Sequence, residues 1–245
     1  MKTTLLLPLL AFLSFSPLWA DATDDAMERA ARQAPREALA TLEAAAKAAP
    51  DRADLLAERS LAWADCADIE TRKSAQKAAA LRATELAQKA LAAGPKLARA
   101  HLAVAVADGK MTDFVDNSTK MELSRRIRAE ALKTVELDPQ QALAYEILGR
   151  WEYGFATLNP LLKAAARVAY GALPPASLEN AAGYLEKAVK LNPGAISPNY
   201  QLALVYKAMG EKEKALRQWK AVAALPATDA DDKAAQQEAA KAIGR

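Results

Sequence analysis

The chain has one cysteine, one histidine and, past its first 20 residues, no long apolar run. Cys66 alone excludes an internal disulfide, so the fold must stand on packing. With His101 as the sole imidazole, no triad that depends on a second histidine can be built, nor a zinc site of Cys–His spacing. The His-Glu-x-x-His, Gly-x-Ser-x-Gly, Gly-x-x-x-x-Gly-Lys and Gly-x-Gly-x-x-Gly patterns are all missing, which removes metallohydrolases, serine hydrolases and the common nucleotide-binding loops. Nine Gly and 12 Pro are few for 245 residues, and the abundance of Ala, Leu, Glu, Lys, Arg and Gln favours helix, with no sheet expected. The formal net charge of +3 is too mild to point to nucleic acid. The reading is a protein that is not an enzyme and uses no metal or cofactor.

What is present is a globular composition, 52% hydrophobic and 26% charged. Lys2, the apolar run from Leu5 to Leu18 and Ala20-Asp21-Ala22 have the layout of a secretory signal. The run is shorter than the roughly 20 residues of a membrane-spanning helix. Residues 1–22 are therefore expected to be a cleaved signal peptide, residues 23–245 a single domain without a transmembrane segment, and the location exported and periplasmic.

Helix ends punctuate this domain at Ala49-Pro50, Gly94-Pro95, Asp138-Pro139, Asn192-Pro193 and Leu225-Pro226, with proline intervals of 45, 44, 54 and 33 residues. Only the last is close to the roughly 34-residue tetratricopeptide period. The internal pattern identifies the repeat where the spacing does not. Tyr145, Leu148 and Gly149 fit its first helix, and Ala181, Leu185, Ala188 and Pro193 its second. Leu202, Ala203, Tyr206, Gly210, Ala215 and Trp219 fit the next unit. Weaker units run through Ala38, Leu42 and Ala45, and through Ala83, Ala87 and Ala90. Small residues let paired helices approach, while Leu185 and Trp219 fill the space between them. The long intervals imply two insertions. One is a helix from Pro160 to Tyr170, started by Asn159-Pro160 and stopped by Gly171, whose Leu161, Leu162, Ala165, Val168 and Ala169 are expected to be buried and to close the groove. Ser177 and Ser197-Pro198 are expected to open the two following helices, and Thr119-x-x-Glu122 to be a capping box. A polar run from Asp231 to Ile243 should cap the end. The fold class is all-α: a tetratricopeptide-like helical-hairpin solenoid with an inserted helix near 160–170 and a C-terminal capping helix.

Several stretches are more specific: Ala100-His101-Leu102-Ala103, Glu136-Leu137-Asp138-Pro139, Leu148-Gly149-Arg150-Trp151, Tyr170-Gly171-Ala172-Leu173-Pro174-Pro175-Ala176-Ser177 and Leu191-Asn192-Pro193. In this order the chain resembles the regulator of microtubule dynamics family, a tetratricopeptide branch with an interrupted repeat, over about two thirds of its length, as an exported member of bacterial type. The resemblance implies the fold. Association of some members with membrane contact and phospholipid is an implication of resemblance only, and an exported protein would not meet tubulin.

In such repeats the first helix of each pair faces the groove. The registers nominate Arg59, Trp63, Leu102, Val106, Glu146, Arg150, Tyr153, Tyr200, Leu204 and Lys207, with His101 beside them as a packed residue or a ligand contact. This mainly apolar set with three bases suits an amphipathic small molecule, a fatty acid or phospholipid with an anionic end. The alternative is a protein partner in an envelope assembly. Cys66 reads as a small buried apolar residue. Arg125-Arg126-x-Arg128 reads as a surface cluster.

Overall fold

The structure, a computed structural model, describes residues 35–172 and 175–244. The expected signal peptide lies outside the described residues. Among those residues the chain forms eleven α-helices and no strand: α1 (Pro35–Ala46), α2 (Ala53–Ile69), α3 (Lys73–Ala93), α4 (Ala98–Met111), α5 (Asn117–Leu137), α6 (Ala142–Ala156), α7 (Pro160–Tyr170), α8 (Leu178–Leu191), α9 (Ile196–Met209), α10 (Lys212–Ala224) and α11 (Ala230–Ile243). A 3-10 turn, Thr112–Phe114, links α4 to α5.

Four antiparallel pairs stack in chain order: α2 with α3, α4 with α5, α6 with α8, and α9 with α10; α1 packs on α2 at one end and α11 on α10 at the other. Alanine makes this stacking possible. Ala83, Ala87 and Ala90 on α3 and Ala100 and Ala103 on α4 are buried together with Leu56, Leu61 and Leu86. At Gly149 the approach of α6 to α8 is closer still, since a Cβ there would stand 2.4 Å from Cγ of Leu185. Leu55, Leu86, Leu102, Leu148, Leu185 and Leu202 are the largest fully buried apolar side chains, each stabilising the fold by about 1.5 to 3 kcal/mol. Trp219 joins Leu185, Leu202, Val205 and Tyr206 in the C-terminal core, meeting the Tyr200 ring edge-on at 5.5 Å.

The hairpin solenoid, the inserted helix and the capping helix follow the sequence expectation, and four details differ. There is one inserted helix and not two insertions; the other long intervals are taken up by long helices, since α3 and α5 are 21 residues each against 14 for α8. The cap of α5 is Asp116, which accepts from the amides of Ser118 and Thr119, because α5 begins a turn before the Thr119-x-x-Glu122 pattern. Ser177 does cap α8, accepting from the Asn180 amide. Ser197 lies inside the first turn of α9 and sends its hydroxyl to Glu146 instead.

The fourth difference concerns α7. Its start and stop are as expected, with Asn159 accepting from the Leu161 amide and Gly171 at φ 79°. Its apolar face, however, is not buried and closes no groove: Leu161 is 77% exposed, Leu162 59% and Val168 90%. Lys163, Ala166 and Tyr170 are the half-buried residues. At 3.6 residues per turn Lys163 and Tyr170 lie on the side away from Leu161 and Val168, with Ala166 at its edge one turn after Leu162. The helix therefore turns its polar side to the body. A Lys163 Nζ–Ala156 carbonyl bond and an Arg125–Tyr170 carbonyl bond tie its two ends.

Candidate binding face

The first helices of the pairs, α2, α4, α6 and α9, form a row that α11 continues, and polar contacts join neighbours along it. Arg99 of α4 grips both carboxylate oxygens of Glu58 on α2 and reaches Gln141 at the start of α6. Lys110 of α4 donates to Asp68 of α2. Ser197 of α9 donates to Glu146 of α6, and the Tyr200 hydroxyl to Glu238 of α11 at 2.6 Å.

The nominated residues fall into two groups. In the N-terminal group Arg59 is 7% exposed and donates to Glu43 on α1, which also accepts from the Trp63 indole at 3.4 Å. The His101 ring faces the Glu130 carboxylate through Nδ1 and the Pro95 carbonyl through Nε2, leaving neither nitrogen free for a metal or ligand. Leu102 is 0% exposed and has no surface to offer. Val106 is half-buried against the first core. These side chains point in different directions, towards α1, towards α5 and into the core.

The C-terminal group is a coherent surface. Glu146, Arg150 and Tyr153 occupy i, i+4 and i+7 of α6, and Tyr200, Leu204 and Lys207 the same spacing on the adjacent α9, so each triplet shares one face. Tyr153, Tyr200 and Leu204 are partly buried against the same core. Lys207 is exposed, and the Arg150 side chain is 59% exposed with its nearest carboxylate, Glu146, at 3.9 Å. Burial raises the Glu146 pKa above its ordinary value, against the lowering by the Ser197 hydroxyl and Arg150. Tyr200 is pushed up to about 12, first by burial and then by its bond to Glu238.

Sequence reasoning missed three features. Asp65 on α2 is half-buried beside the Glu58–Arg99 and Asp68–Lys110 pairs, and its pKa rises to about 6, by desolvation above all, with Lys110 pulling it down and Asp68 pushing it up. Arg126 and Arg128 are not a free surface cluster: Arg126 pairs with buried Asp108, and Arg128 lies 4.9 Å over the Trp151 ring and donates to Glu152. Glu152 itself is fully buried and its other oxygen accepts from the Ser177 amide at 3.1 Å. The signal for it was a lone acid inside the apolar stretch Leu148 to Ala156. Trp151 is anchored by its indole N–H to the carbonyl and hydroxyl of Ser124. The Gly149-Arg150-Trp151 and Ala176-Ser177 elements are thus joined through Glu152, which fixes the start of α8 against α6 on either side of the insertion.

The family model described as regulator of microtubule dynamics protein 1-3 matches residues 20–244. The chain belongs to the regulator of microtubule dynamics family. It is 28% identical over 153 residues to human regulator of microtubule dynamics protein 2, covering 62% of this chain and 37% of that protein. To mouse regulator of microtubule dynamics protein 3 it is 27% identical over 215 residues, 87% of this chain and 46% of that protein. The chain thus spans less than half the length of these two relatives. Among solved structures, a thermophilic tetratricopeptide protein of Thermus thermophilus superposes with a TM-score of 0.62 at 15% identity, covering 93% of this chain and 100% of that one. Pseudomonas aeruginosa pilF gives 0.56 at 16%, covering 92% and 84%. These two likenesses establish the fold that this family member shares with tetratricopeptide proteins. Among its described residues no group of three or more His, Cys, Asp or Glu could hold a metal ion, and no helix is long and apolar enough to cross a membrane.

Proposed function

We propose that this chain is a protein-binding module that receives an extended partner segment across the α6/α9 face. The observation that carries the reading is the pairing of half-buried Tyr153, Tyr200 and Leu204 with the exposed cations Arg150 and Lys207. Rigid aromatics beside available arginine are the composition of energetically dominant interface positions. The partner segment has apolar side chains for the floor and an acidic residue or terminus for the cations. Export, directed by residues 1–22, places the module in the cell envelope.

A second reading, an anionic fatty acid or phospholipid held at the same face, draws on the same apolar floor beside Arg150. Protein docking is favoured because the apolar surface on α6 and α9 spans two helices, about 10 Å between axes, and does not continue into Leu102 or Trp63. An extended acyl chain would outrun it.

A photo-crosslinking residue replacing Tyr153, with a control replacing exposed Gln88 on α3, tests the proposal in the producing cell. Protein adducts from position 153 alone, lost on Arg150→Glu, support partner docking. Native mass spectrometry showing a co-purifying lipid, with no protein adduct, transfers the site to the second reading, and neither result retires both. Amino-terminal sequencing that begins after Ala20 or Ala22 supports export, and an intact Met1 on the folded soluble protein removes it.

A further inference from the structure

Charge is sorted between the two layers of the solenoid. The first helices of the pairs, α2, α4, α6 and α9, carry seven Asp and Glu against five Lys and Arg. The second helices, α3, α5, α8 and α10, carry the same seven acids against 15 bases. The two layers also use their charges differently. In the first, three of the five bases are taken up by neighbouring acids, as Arg59–Glu43, Arg99–Glu58 and Lys110–Asp68. In the second it is acids that are taken up: Glu85 and Glu136 by bases of their own helices, Glu130 by His101 and Glu186 by the Tyr206 hydroxyl. Lys77, Lys120, Lys190, Lys212, Arg217 and Lys220 remain exposed and form no ion pair among the described residues. Like charges gathered on one layer repel one another in the folded state, so packing does not account for the excess.

We propose that the second-helix layer is a docking surface for an acidic polysaccharide, laid across α3, α5, α8 and α10 so that its anionic groups meet successive helices. Three observations choose this occupant. The first is charge complementarity: the unpaired bases reach from α3 to α10 and are not gathered at one point, a footprint that suits a linear polyanion. The second concerns anchors. Among the described residues these four helices expose only Leu81 and Leu216 as large apolar side chains, whereas a folded protein partner is held by buried aromatic and apolar anchors. The third separates the polyanions. No Trp, Tyr or Phe is exposed on these helices, so the bases of a single-stranded nucleic acid find no platform to stack on, and duplex DNA, with about one charge per 1.7 Å, is far denser in charge than this layer. A flexible acidic peptide loses the most freedom on being straightened across four helices, and a stiffer sugar chain loses less. The α6/α9 face belongs to the first-helix layer, so partner docking there and polysaccharide docking here are independent.

Polygalacturonate, with a carboxylate on every sugar, is the probe, immobilised and titrated with the full chain by biolayer interferometry at low salt against a neutral dextran blank. Saturable binding is expected, weakening steadily as salt rises. Two triple variants separate this layer from overall charge. Lys77→Gln, Lys190→Gln and Lys220→Gln remove one base each from α3, α8 and α10 and together should weaken binding at least about fivefold. Lys47→Gln, Lys233→Gln and Lys241→Gln remove the same charge from exposed positions outside the layer and should change it less than about twofold. All six side chains are exposed, so both triples should keep the circular dichroism and urea midpoint of the parent. Absence of saturable binding, or equal weakening by the two triples, overturns the proposal. So does tighter binding of poly-L-glutamate, duplex DNA or phosphatidylglycerol vesicles than of polygalacturonate at equal charge concentration, lost with the first triple, which would assign the layer to that anion instead.

Discussion

Replacing Gly149 by alanine sets two effects of opposite sign against each other. In a helix interior alanine is favoured over glycine by about 1 kcal/mol, so on propensity alone Gly149→Ala stabilises. The structure gives the opposite sign, because the new methyl would sit 2.4 Å from Cγ of Leu185, 3.0 Å from its Cδ2 and 3.2 Å from the Ala181 carbonyl. Leu185 is fully buried and the clash is at its branch point, so it cannot swing away as a long side chain could. Overpacking of this kind costs typically about 1 to 3 kcal/mol and occasionally more; with the clash at a buried branch point the upper part of that range applies, leaving a net destabilisation of up to about 2 kcal/mol. Gly183 is the control: it lies within α8 of the same pair, and a Cβ there meets nothing within 4 Å, so Gly183→Ala should stabilise by about 0.5 to 1 kcal/mol. Urea unfolding followed by circular dichroism measures both. Leu185→Ala alone should cost about 2 to 5 kcal/mol, and adding Gly149→Ala to it should recover part of the loss, since the methyl then fills space that Leu185 vacated. A stabilising Gly149→Ala, or a double variant whose cost is the sum of the singles, would refute the close approach of α6 and α8.

Trp219→Ala removes a 5% exposed side chain from the C-terminal core and should cost about 3 to 5 kcal/mol in the same assay; an unchanged urea midpoint would place it outside the core. Glu152→Ala leaves the Ser177 amide and Arg128 without their acceptor and should cost about 2 to 3 kcal/mol, with amides at the start of α8 exchanging faster by hydrogen–deuterium exchange than those of α10. Asp65 has a folded pKa of about 6 against an ordinary 3.8. The unfolded chain gives up this proton first, so the Asp65 contribution to stability falls as pH rises from 4 through 6. Asp65→Asn should accordingly stabilise at pH 7 by on the order of 2 kcal/mol and change little at pH 4, and a pH-independent effect would show that its proton is not held by burial.

The hairpins were legible because their geometry demands particular residues: Gly149 and Ala181 must be small where helices meet, and Leu185 and Trp219 must be large where pairs leave space. Asn159-Pro160 and Gly171 bounded α7 for similarly local reasons, as cap, first-turn proline and left-handed stop. Its orientation was not legible, because amphipathic spacing shows that leucines share a face and not whether anything lies against it. Interval lengths misled for a related reason, since a 44-residue spacing is satisfied equally by an insertion or by a longer α5. At the candidate site, register placed Arg150, Tyr153, Tyr200, Leu204 and Lys207 on one surface, where the regular α6/α9 packing obeys the repeat. For Arg59, His101 and Leu102 it did not separate the exposed side of a helix from its buried flanks, because that depends on Glu43 and Glu130, acids contributed by helices α1 and α5.

The segment between Ala156 and Leu178 is 21 residues, against three between Ile69 and Lys73, yet closing the longer loop costs only about 1.7 kcal/mol more if the loop is flexible. Gly149, Leu185 and the Glu152–Ser177 bond lie on the solenoid side of that junction and do not involve α7. The junction therefore behaves as an exchangeable cassette port. A foreign epitope, a different amphipathic helix or a plain short turn could be spliced in at this point while the four pairs keep their register, which makes this repeat the natural place to re-equip the scaffold.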